Sequence, residues 1–99
     1  MDKKRIFHFD GSEGAAKMML GILNHYANAA YPIGGSNCAM ASREALWAIA
    51  INIARNEQAE ISRRQRPMLK AAVKWFYTES EYASPNDVMY GQLLSQFKK

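Results

Sequence analysis

The run from Ala45 to Ala54 (ALWAIAINIA) is the most hydrophobic stretch of the chain, and Glu44 and Arg55 close it at either end. It is about half the roughly 20 apolar residues that a bilayer span requires, so it reads as a core helix and no membrane helix is expected. At 100° per residue, Leu46, Trp47, Ile49, Ala50, Ile51, Ile53 and Ala54 cover an arc of about 200°. Glu44, Ala48, Asn52, Arg55, Asn56 and Ala59 fall opposite. This pattern predicts a central long helix, capped by Ser36 or Ser42 and running on to Pro67. Beyond Ala54 the pattern weakens, because Glu57 and Glu60 share the arc of Ile49 and Ile53 and only Ile61 continues the apolar side. The helix is therefore expected to outrun its core, and the polar half from Arg55 to Arg66 becomes the favoured functional region.

Around that helix the remaining segments read as shorter ones. Asp10 stands three residues before Glu13 in capping-box spacing, with Ser12 as an alternative cap. Ala15, Met19, Ile22, Leu23, Tyr26, Ala27 and Ala30 then recur at three- and four-residue steps, predicting a first helix to about Ala30. The stretch from Tyr31 to Asn37 (YPIGGSN) holds the strongest breakers and predicts a loop. Pro67 can open a third helix that buries Leu69, Ala72, Val73 and Phe76 and turns Lys70, Lys74 and Glu81 outward. Ser84 before Pro85 and Asp87 marks the start of a short fourth helix, carrying Met89, Tyr90, Leu93, Leu94 and Phe97 inward. Arg5 to Phe9 alternates enough for a short extended segment, with no obvious mate.

These elements in 99 residues, with 48% hydrophobic and 22% charged residues, predict one domain spanning residues 1–99. The class expected is all-α, a compact bundle of three to four helices with a short extended N-terminal segment. The lone Cys38 cannot form an intrachain disulfide, and no apolar signal-peptide region follows the basic N-terminus, so a cytoplasmic setting is expected.

Enzyme chemistry finds little support. Gly34 and Gly35 precede Ser36 and Cys38, but a nucleophile elbow needs glycine two before and two after its serine, between a strand and a helix. The loop reads instead as a flexible connection with a partly buried thiol, and an enzyme using Gly34 to Cys38 stands as a distant third reading. His8, His25 and Cys38 match no compact zinc spacing, so no metal is expected, and His25 reads as a half-buried structural residue. The glycines are not followed by the lysine and hydroxyl of a phosphate loop, so no cofactor is expected.

Charge gives the best functional lead. The net charge is +4, and it is uneven: Arg55 to Lys74 holds six bases and two acids, while Trp75 to Leu94 holds three acids and no base. Arg63, Arg64, Arg66, Lys70 and Lys74 form a basic corner suited to an acidic protein surface or to phosphates. Arg66, Lys70 and Lys74 lie at helical spacing, although Pro67 is expected to break their ridge. The bland alternative is a solvated face with Glu60 paired to Arg64. Met18, Met40, Tyr31 and Tyr82 are weaker interface candidates. The reading is a non-enzymatic helical binding module with a protein partner, of the kind common among phage and plasmid accessory or inhibitor proteins. Its alternative is a nucleic-acid-binding protein using the same corner. Self-association stays open, through the Glu57 and Glu60 region.

Overall fold

The computed structural model describes residues 4–9 and 14–97. Strand β1 (Lys4–His8) is followed by helices α1 (Ala15–Ala30) and α2 (Asn37–Asn56), strand β2 (Gln58–Ser62), and helices α3 (Arg66–Thr78) and α4 (Val88–Gln96). The chain is mostly helical, as expected, with one small antiparallel sheet of β1 and β2.

Helix α1 is entered through Gly14 at φ +84°, a left-handed conformation that glycine adopts without steric penalty. The caps expected at Asp10 and Ser12 lie outside the described residues. One face of α1 buries Ala16, Met19, Ile22, Leu23 and Ala27; Ala15 and Tyr26 are half-buried and Ala30 is exposed. This helix packs on both α2 and α3, and α4 packs on α3. The longest helix is α2, and it packs on α1 and β2.

Ser36 caps α2, its Oγ accepting the Ala39 N–H at 3.1 Å, which decides between the two serines. At the other end the helix stops at Asn56, ten residues short of the expected Arg66. Glu57 sits at φ 57° and reverses the chain, its N–H donating to the Ile53 carbonyl at 2.9 Å. The next five residues are a strand. Ala59 and Ile61 point into the core while Gln58 and Glu60 point out, a period of two that replaces the helical one. Here is the mate of the N-terminal segment: Arg5 pairs with Ile61, Ile6 with Glu60 and Phe7 with Ala59. The region around Glu57 and Glu60 therefore has a partner within its own chain, and the reason given for self-association there falls away.

The N-terminal strand is also held by α4. Phe7 stacks on Phe97 with ring centroids 5.3 Å apart, and the Gln96 amide donates to the His8 carbonyl at 3.1 Å. Leu69, Ala72, Val73 and Phe76 of α3 are buried as expected, joined by Tyr77. The start of α4 is later than the sequence suggested. Asp87, rather than Ser84, caps it by accepting the Met89 N–H at 2.9 Å, while Ser84 and Asn86 form the turn ahead. Leu93 and Phe97 are fully buried there, and Met89, Tyr90 and Leu94 partly so.

Candidate functional site

Among the described residues three surfaces stand out: a basic corner where β2 meets α3, an aromatic cleft at the far end of α3, and the outer face of α2.

The basic corner is built on a tight turn. The Ser62 N–H donates to Gln65 Oε1 at 2.9 Å, and the Gln65 N–H reaches back to Ser62 Oγ at 3.2 Å and to its carbonyl at 3.0 Å. This reciprocal pattern is that of a capping box, here closing the turn ahead of α3, where Arg63 and Arg64 are exposed. The Ser-x-x-Gln spacing that announces it stands in the sequence at 62–65, but reading those residues as helix hid it. Pro67 lies in the first turn of α3, where a missing N–H is harmless. Arg66, Lys70 and Lys74 therefore share one unbroken helix, about 12 Å from first to last. The expected break at Pro67 does not occur. Lys70 is half-buried and Lys74 exposed.

The sheet adds a cation that the sequence did not assign to the site. Arg5, brought in by β1, places its guanidinium 4.5 Å from the centroid of the Phe7 ring, and Arg66 places its own 5.8 Å from the same centroid. The Nε of Arg66 is buried without a hydrogen-bond partner. Among the described residues, Arg5, Arg63, Arg66, Lys70 and Lys74 make no ion pair with an acid. Finding Arg5 required the β1–β2 pairing, a contact across more than fifty residues that no local pattern announces.

At the other end of α3, a cleft of about 550 Å³ is lined by His25, Trp75, Glu79, Glu81 and Tyr82 among others. His25 is half-buried, as expected, and stacks on Tyr82 at 4.0 Å between centroids. Nearby Tyr26 lies 5.7 Å from Trp75, and its hydroxyl is pushed above the ordinary tyrosine value by burial, with Tyr31 adding to the effect. Glu79 and Glu81 give this end the opposite sign to the basic corner. The charge imbalance read from the sequence is thus laid out along α3.

The outer face of α2 is apolar. Leu46, Ile49, Ala50 and Ile53 are buried, but Trp47 and Ile51 of the same arc are 41% and 44% exposed, and Ala48 and Ala54 are exposed too. Roughly half of the 200° arc that predicted a central helix is left largely exposed. Cys38 is exposed, which corrects the expectation of a partly buried thiol: it sits at the start of α2, two turns before the helix meets the core. Ser36 has its hydroxyl engaged as a cap. Among the described residues there is no group of three His, Cys, Asp or Glu side chains able to hold a metal, and no helix long and apolar enough to cross a membrane.

No protein-family model, curated protein or solved structure matches the chain.

Proposed function

We propose that this chain is a non-enzymatic binding module that docks an acidic surface of a partner protein on the corner formed by Arg5, Arg63, Arg64, Arg66, Lys70 and Lys74. One observation carries the reading: the charge order of α3 opposes its own dipole. A helix N-terminus bears about half a positive charge and favours acids in its first turn, with bases favoured in the last. In α3 the first turn has no acid and starts at Arg66, the last turn has no base, and Glu79 caps the C-terminal end. Arg66 at the positive end of the helix costs about 0.3–1 kcal/mol when the corner is empty, and an anion bound there offsets that cost. Such a module works by occupancy, covering or tethering an acidic surface as accessory and inhibitor proteins do.

Spacing favours a second reading. Arg66, Lys70 and Lys74 repeat about every 6 Å along one helix, which suits a phosphate backbone. Poly-L-glutamate and a random duplex DNA, each titrated between low and physiological salt against wild type and R63E/K70E/K74E, separate the two. Docking on acidic protein surfaces predicts poly-glutamate binding that the triple variant weakens at least about tenfold, since three charge-assisted contacts are reversed. Duplex binding alone, with log affinity falling steeply against log salt, would give the corner to nucleic acid. Failure of both probes to bind at low salt would end the proposal.

A further inference from the structure

The uncovered face of α2 has the layout of a helix-pairing seam. Met40, Glu44, Trp47, Ile51 and Ala54 recur at steps of four, three, four and three residues, the spacing by which one helix keeps a single face against another over about four turns. All five are at least partly exposed. The central side chain, Trp47, lies beside an anchored arginine. Arg43 donates to the carbonyls of Tyr31 (2.9 Å) and Ala27 (3.3 Å) and to Asn28 Oδ1 (2.7 Å), closing the C-terminal end of α1, and its guanidinium lies 5.6 Å from the Trp47 ring centroid. An exposed tryptophan flanked by an anchored arginine is the kind of residue that dominates interface energetics.

We infer that this face is occupied by a second copy of the same chain, with the two α2 helices antiparallel. The face carries its own complement. Pairing about a two-fold axis near residues 49 and 50 sets Trp47 against the second copy's Ile51, and Glu44 beside the second copy's Ala54 and Arg55. Every contact then occurs twice, as an isologous interface demands. A parallel pairing would instead set Glu44 against Glu44 within the apolar seam, where like charges repel and are desolvated. An unrelated acidic partner is steered elsewhere, because this face sets Glu44 against Arg43 and Arg55, a smaller positive excess than that of the basic corner. Among the described residues neither Glu44 nor Arg55 has an ion-pair partner within the chain. They stand eleven residues apart, about 16 Å along one helix, too far to pair with each other intramolecularly.

That separation makes a charge swap decisive. Sedimentation equilibrium of wild type across a concentration series is expected to show a species of twice the 11.2 kDa chain mass. Ile51→Glu should weaken the dimer at least about tenfold, and because Ile51 is already exposed its far-UV circular dichroism should match wild type. Glu44→Arg and Arg55→Glu should each weaken it, and the double variant should recover to within about threefold of wild type. The inference is overturned if the chain stays monomeric at about 0.5 mM. It is equally overturned if a dimer forms that Ile51→Glu leaves intact, or if the charge swap gives no recovery.

Discussion

Helices α2 and α3 both pack on α1, yet their outward faces differ in kind. On α3 the apolar arc matches what the core covers: Leu69, Ala72, Val73, Phe76 and Tyr77 are buried, and Lys74 faces water. On α2 the apolar arc exceeds its cover, so Trp47, Ile51 and Ala54 face water. The same hydrophobic character thus does two jobs on one helix, building a core on one side and leaving a surface on the other. On α3 the unusual feature is electrostatic, with charges set against the helix dipole. Burial separates the residues that make the fold from those available for contact, and hydrophobicity alone does not.

The strongest test of that contrast sets Ile53 against Ile51, two residues apart on one helix. Ile53→Ala should destabilise the fold by about 2–5 kcal/mol in urea denaturation, because the side chain is fully buried. Ile51→Ala, measured at dilution, should change it by less than about 0.5 kcal/mol. Equal costs would break the distinction.

On α3, Tyr77 has no solvent exposure, and burial raises its hydroxyl to about 12, with Asp87 adding to the effect. In the unfolded chain the group ionises near its ordinary value of 10, so the neutral hydroxyl's contribution is complete below pH 10. It is lost between pH 10 and 12, at about 1.4 kcal/mol per pH unit. Alkaline denaturation should therefore be shallower in Tyr77→Phe. At neutral pH the same variant should gain up to about 1 kcal/mol, because the buried hydroxyl makes no hydrogen bond.

Smaller effects sharpen the boundary between the two helices. Gln65→Ala removes half of the reciprocal turn that presents Arg63 and Arg64, and should cost about 1 kcal/mol in thermal melts. Glu57→Gly relieves a side chain from the left-handed conformation that ends α2. It should raise stability by up to about 1 kcal/mol, and a loss would mean that Glu57 does more than reverse the chain.

What could be read from the sequence follows the range of the interactions. The inward faces of α1 and α3 were legible because local periodicity and burial agree there. The basic residues of the corner were legible as a cluster, and the structure keeps Arg66, Lys70 and Lys74 on one helix. The β2 strand was not legible. Gln58, Ala59 and Glu60 have weak strand preference, and the segment is held by pairing with β1, so reading it as helix followed from local signals alone. Arg5 was missed for the same reason. The α2 face was misassigned because an apolar residue on a wide arc looks the same whether its cover lies within the chain or outside it.

The claim that binding lies at the start of α3, apart from the α2 seam, is tested most directly by amide chemical shifts during a poly-L-glutamate titration. Shifts confined to Arg5, to 63–74 and to their immediate neighbours, with those of Met40 to Ala54 unchanged, are the expected result. Shifts centred on Trp47 and Ile51, or spread evenly over the surface, would contradict it.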